Sequence, residues 1–161
     1  MGRVAGDTET QAVIDGLQAM ARVMISLTAR SLAKLDVSVT LPQLRTLVVL
    51  AVSGPQRIVD LAAELDVQPS AATRMCDRLV RKQLVSRHER SDDRRVAWVA
   101  LTGAGGDLVM EVVNHRREQL TQLVASVDIG DPTAFSAALH GLAAAAGEPA
   151  EREWQARRAR S

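Results

Sequence analysis

Tyrosine is absent from this chain, and Trp98, Trp154 and Phe135 are its only aromatic residues, 2% of the total. A core with so few rings has to be assembled from leucine, valine and alanine, which favours close-packed helices over a β-sandwich. Cysteine is almost missing as well: Cys76 stands alone, which excludes an intramolecular disulfide framework and suits a reducing cytoplasm. The longest purely apolar runs, such as Leu47–Val52, fall far short of the ~20 residues of a membrane helix, and no membrane partner is expected. The first eleven residues carry Asp7 and Glu9 without an apolar stretch, so they do not read as a secretion signal. Charge of one sign is lacking too. Lys and Arg number 20 against 19 Asp and Glu, a net charge of +1, which nominates no polyanionic partner. What is present is ordinary for a globular chain of 161 residues: 47% hydrophobic and 24% charged. That is one domain with terminal extensions, large enough to bury a core without metal or disulfide.

The hydrophobic periods outline the architecture. Thr8 with Gln11 reads as a capping box opening a helix that runs to about Leu35. Along it Val13, Leu17, Met20, Met24 and Leu27 recur at alternating spacings of four and three, widened by Ile14 and Ala21. That stripe is either a core face or a seam between subunits. Thr40 with Gln43, and Pro42 in the first turn, open a second helix that is apolar on most sides and ends at Gly54-Pro55. A short helix follows from about Val59 to Leu65, then a turn at Asp66–Gln68, then a helix from Pro69 to about Lys82. The alternating runs Leu84–Glu89 and Val96–Leu101 flank a polar tip, Arg90–Arg95, and predict a two-stranded hairpin. Thr102 caps a long helix reaching about Val127, with Val109, Val113, Leu120, Leu123 and Val127 in the same four–three pattern and Arg116 interrupting it. Asp131-Pro132 opens the last helix, lined by Phe135, Leu139, Leu142 and Ala146. Gly147–Pro149 ends it, and residues 150–161 form a polar, Arg-rich tail expected to fray.

Helix, short helix, turn, helix, charged hairpin is the order of a helix-turn-helix with a wing, which projects its second helix into a major groove. On the Pro69–Lys82 helix, Ala72, Met75, Cys76 and Leu79 share the stripe expected to pack inward. Ser70, Ala71, Thr73, Arg74, Asp77, Arg78 and Arg81 lie elsewhere and are available to DNA. Small residues near the helix start allow close approach, and Arg74 has the reach for a bidentate contact to guanine. From Gln68 to Arg95 eight basic residues face four acidic ones, 8 − 4 = +4, while the rest of the chain carries −3. A charge run alone is more often a solvated, salt-bridged surface; the helix-turn-helix order is what favours phosphate neutralisation here.

Three stretches resemble the multiple antibiotic resistance regulator (MarR) family of winged-helix transcription factors. VTLPQLRTLVVLAVSGPQRIVDLAAEL is similar to that family's second and third helices, and PSAATRMCDRLVRKQLVSRHE to its recognition helix and first wing strand. DDRRVAWVALTGAG carries the most specific signature, an Asp-Arg-Arg wing tip followed after six residues by Leu-Thr opening the next helix. The resemblance runs from about Thr8 to Ala146. It implies a mostly α fold: a winged helix-turn-helix over residues 40–102 with a two-stranded β-hairpin wing, an N-terminal dimerisation helix over 1–39, C-terminal dimerisation helices over 103–147 and a polar tail over 148–161. It also implies a cytoplasmic homodimer bound to a pseudo-palindromic operator, as a repressor released by a small anionic or phenolic ligand. Base contacts fall to Ser70, Ala71, Thr73, Arg74 and Arg78. Wing contacts in the minor groove fall to Arg94 and Arg95, with Asp93 restraining Arg95. The chain departs from the family pattern at Asp66, where a turn glycine is usual, at Gln68 in place of a Ser or Thr cap, and at Gln83 in place of a helix-ending glycine.

Other chemistry finds little support. No nucleophile elbow, phosphate loop or paired-His motif appears, so no enzyme is predicted. His88, His115 and His140 sit on different predicted elements, and no metal or cofactor is expected. Cys76 reads as a buried small hydrophobe or as a redox sensor within the reading helix. Met24 and Thr28, with Arg45 facing them, are the candidates for an effector cleft; Arg45 alternatively makes an ion pair or a phosphate contact. Two rival functions remain: a sequence-indifferent architectural DNA binder, and a winged helix used as a protein-interaction module.

Overall fold

In the computed structural model the backbone is described for residues 2–90 and 93–147, and side chains for residues 7–88 and 98–147. The elements run α1 (Gly2–Ala33), α2 (Leu41–Ser53), β1 (Gln56–Arg57), α3 (Ile58–Leu65), α4 (Pro69–Arg81), β2 (Val85–Arg90), β3 (Asp93–Leu101), α5 (Gly103–Ala125) and α6 (Pro132–Ala145).

Helix starts follow the side-chain oxygens that the sequence places there. At α2 the Gln43 N–H donates to Thr40 Oγ1 at 3.4 Å and the Thr40 N–H to Gln43 Oε1 at 3.1 Å, a reciprocal box. Asp131 Oδ1 accepts from Thr133 and Ala134 N–H groups at 3.0 Å each, with Pro132 in the first turn of α6. The first helix differs from expectation. It begins at Gly2, so Thr8 stands inside it, and the Gln11 side chain donates forward to Asp15 Oδ1 at 3.0 Å. A capping box contributes only ~1 kcal/mol and does not stop a helix whose preceding residues tolerate one.

A single aliphatic cluster joins Leu44, Leu47 and Leu50 of α2, Leu61 and Leu65 of α3, Cys76 and Leu79 of α4, Val85 and Val99 of the sheet, and Leu108, Val109 and Val112 of α5. The sheet order is β1-β3-β2, antiparallel, with Gln56 opposite Val99 and Val85 opposite Leu101. Two features of it were not expected. β1 has two residues, too few to show a period. β2 also reaches Arg90 and β3 begins at Asp93, so both strands enter the Arg90–Arg95 stretch anticipated as a loop, with a register irregularity between Glu89 and Arg90.

Helix α1 packs against α5, and its buried residues lie in its C-terminal half. There Thr28 and Ser31 are buried, their hydroxyls donating to the Met24 and Leu27 carbonyls at 2.9 Å. The N-terminal half leaves Val13, Leu17 and Met20 exposed, and α6 buries no residue at all. By length and mean hydropathy (1.3) the segment Asp7–Ala33 is long and apolar enough to cross a bilayer. Its apolar residues nevertheless keep to one side. Gln11, Asp15, Gln18, Arg22 and Ser26 form a polar stripe at the same helical period, the pattern of an amphipathic seam.

Candidate nucleic-acid interface

Helix α3 ends at Asp66, which takes a left-handed conformation (φ 55°, ψ 50°) while its N–H donates to the Ala63 carbonyl at 3.1 Å and the Val67 N–H to Ala62 at 3.0 Å. Asp thus fills the turn usually held by glycine, a conformation it tolerates better than most residues. Gln68 provides no side-chain cap to α4; its carbonyl accepts from Ala71 and Ala72 at 2.8 and 3.1 Å, and Pro69 sets the first helical φ.

Helix α4 has two unlike sides. Ala72, Cys76 and Leu79 are fully buried, and Met75 packs 3.2 Å from the buried Thr46 hydroxyl of α2. On the other side Ser70, Arg74, Arg78 and Arg81 are exposed, while Ala71 and Thr73 are half-buried. At the helical repeat the four exposed residues fall within an arc of about 80°. The Thr73 hydroxyl donates to the Pro69 carbonyl at 2.9 Å and keeps its lone pairs free to accept.

Not every charge in the +4 segment faces solvent freely. Asp77, expected among the DNA-facing residues, pairs with Arg87 of β2 at 2.5 Å. Lys82, just past α4, donates to the Ser38 carbonyl between α1 and α2 and lies 3.3 Å from Gln43 Oε1. Neither link had a signal in the sequence, because each joins residues brought together only by packing. The cations left outward on α4 are Arg74, Arg78 and Arg81. Asp93, Arg94 and Arg95 belong to β3 by their backbone; their side chains lie outside the described residues.

Helix α4 ends without the glycine usual at position 83. Lys82 closes the helix and Gln83 adopts φ 59°. The left-handed region costs a non-glycine residue ~1 kcal/mol. Gln83→Gly is therefore expected to raise stability by about 0.5–1 kcal/mol, measured by urea denaturation; a loss would mean that the glutamine side chain outweighs the backbone term. Directly beyond, the Thr102 hydroxyl accepts from the Gly105 N–H at 3.0 Å and donates to the Gln83 carbonyl at 2.7 Å, tying the start of α5 to the end of α4.

Cys76 is wholly buried, and burial pushes its thiol pKa up, against a smaller opposing pull from the Arg87 charge. That environment favours the inert-thiol reading over the redox one. Met24 is half-buried, Thr28 buried and Arg45 exposed. None of these three lines the cavities at the α1–α2 turn or between α2 and the start of α5. The first of these, about 540 Å³, lies where α1 turns into α2 and is lined by Leu32, Leu35, Asp36, Ser38 and Val39 among others. Its lining includes a carboxylate and no Lys or Arg, which does not match an anionic ligand. Among the described residues no three His, Cys, Asp or Glu side chains converge.

Comparison with known proteins agrees with this geometry. Residues 39–97 match the model of the MarR family. The chain is 40% identical over 57 residues to YhbI, an uncharacterized HTH-type transcriptional regulator of Bacillus subtilis, a match covering 35% of this chain and 37% of that one. It is 38% identical over 79 residues to the HTH-type transcriptional repressor MdtR of the same organism, covering 49% of this chain and 51% of that protein. The chain thus spans between a third and about half the length of these curated relatives. The crystal structure of RV1404 from Mycobacterium tuberculosis superposes with a TM-score of 0.80 at 37% identity, covering 88% of this chain and 97% of that one. With a helix-turn-helix, a hairpin wing and flanking long helices in one order, the chain belongs to the MarR family of winged helix-turn-helix transcriptional regulators.

Proposed function

We propose that this protein is a sequence-specific DNA-binding regulator that acts in the cytoplasm as a homodimer on a pseudo-palindromic operator. The observation that carries the reading is α4: a helix sealed into the core along Ala72, Cys76 and Leu79, with Ser70, Arg74 and Arg78 exposed along its opposite side. Such a helix presents short residues where the chain must approach a base edge and guanidinium groups where it must reach guanine or phosphate. Thr73 and Ala71 border the same surface, and Arg94 and Arg95, with Asp93 as restraint, are assigned to the wing. Exposed apolar residues on the N-terminal half of α1 and on α6 support the homodimer. The name of MdtR supports repression. Release by a small ligand enters through the family resemblance, with Met24, Thr28 and Arg45 the residues assigned to it.

Selection of bound duplexes from random DNA, then mobility shifts of the selected palindrome against random competitor, tests the proposal. A regulator prefers the palindrome by at least ~1,000-fold; equal affinity favours an architectural binder, and no shift at moderate salt favours a protein-interaction module. Arg74→Ala is expected to cost about 1–3 kcal/mol on the selected site and to relax preference at one base pair. Unchanged preference at every position removes its base-reading role.

A further inference from the structure

We infer that Lys82 is a positioning residue for DNA recognition, a strut that sets the tilt of α4 against the loop between α1 and α2. This rests on the DNA-binding reading above and assigns a role to a cation outside the DNA-facing set.

Three segments meet at one ammonium group. Lys82 closes α4 at φ −87°, ψ 0°. Its Nζ donates to the Ser38 carbonyl, 44 residues earlier in the chain, and lies 3.3 Å from Gln43 Oε1. Gln43 is only 4% exposed and is held in place by the Thr40 N–H, so the acceptor is preset. At its other end α4 has no side-chain cap. The buried stripe of α4 is made of apolar contacts, which are non-directional and fix separation better than angle. A charge-assisted hydrogen bond constrains direction as well.

Angle matters for a helix of this length. α4 has 13 residues, about 20 Å, so a tilt of about 5° at its Lys82 end displaces its first turn by roughly 1.5–2 Å. That exceeds the tolerance of a hydrogen bond to a base edge, whereas contacts of long arginines to phosphate readjust. Lys82 therefore governs discrimination between sequences more than attraction to DNA. The same bond joins α4 to Ser38, which lines the cavity beside the last turn of α1, so a displacement of that loop reaches the reading helix through this ammonium.

The test uses the full chain, with Lys82→Met and Lys82→Arg, the selected palindrome and a random duplex of equal length, across a salt series. Lys82→Met is expected to lower the palindrome-to-random affinity ratio about tenfold, the size of one lost base contact, while leaving the salt dependence on random duplex unchanged. Lys82→Arg restores most of the ratio. A ratio within about twofold of wild type overturns the inference. So does an equal loss on both duplexes with a salt slope reduced by about one, because Lys82 is then a phosphate ligand. Failure of wild type itself to prefer the palindrome marks failure of the underlying reading instead. In that case a second arm still tests the strut as a structural link. Gln43→Glu, which a capping box accepts, raises the melting temperature beside Lys82 and lowers it beside Lys82→Met; additive effects overturn the link.

Discussion

Gly105→Ala is expected to destabilise the protein by about 3 kcal/mol, the upper end of overpacking effects. A methyl group built on Gly105 falls 2.1 Å from the Leu84 carbonyl oxygen and 3.0 Å from Leu101 Cδ1. The near atom is backbone, so no rotamer change relieves the clash. That carbonyl also accepts the Thr102 N–H at 3.1 Å. Displacing it loosens the joint at which α4, β2 and α5 meet. At ~2–4 °C per kcal/mol for a chain of this size, the melting temperature falls by roughly 6–12 °C. Gly103→Ala serves as control: nothing lies within 4 Å of its added carbon, and alanine is the better helix former. It leaves stability unchanged or raises it by a few tenths of a kcal/mol. Equal melting temperatures for the two variants refute the close approach at Gly105.

The second large effect concerns the seam of the proposed homodimer. Val13, Leu17 and Met20 on α1, and Phe135, Leu139 and Leu142 on α6, are each at least 40% exposed, and each trio repeats at helical spacing. Six large apolar side chains are left in water on these two helices, and the apolar surface they expose is what the proposed homodimer would cover. Leu17→Asp with Leu139→Asp places carboxylates within that surface, where burial without a partner is strongly unfavourable. The expected result is a monomer in sedimentation, with affinity for the palindrome reduced at least ~100-fold because the second half-site no longer adds its binding. Weak binding to random duplex persists, because α4 is untouched. A double variant that remains dimeric places the subunit contact elsewhere.

Much of the fold was legible because its signals are local. Thr40 with Gln43, Thr102 and Asp131-Pro132 each act within a single turn, so spacing alone reveals the cap. Ala72, Met75, Cys76 and Leu79 are read inward by period; the structure buries Ala72, Cys76 and Leu79 and leaves Met75 half-buried. The candidate surface was legible for the same reason, since the side of α4 opposite that stripe has to face outward. Thr8 shows where local signals fall short: a capping preference was present, yet the helix runs through it from Gly2. Asp77 shows another. By position it faces outward, but Arg87 arrives from β2 to neutralise it.

Residue order and type along this chain settled which segments are helical, which side of each is apolar and which helix carries the arginines, because those properties depend on neighbours three or four positions away. Folding settled which of the charges remain free, why position 105 has no room for a side chain, and which carbonyl Lys82 grips. Those outcomes depend on groups from 10 to 44 residues apart meeting within a few ångströms, and separation along the chain carries no record of distance in space.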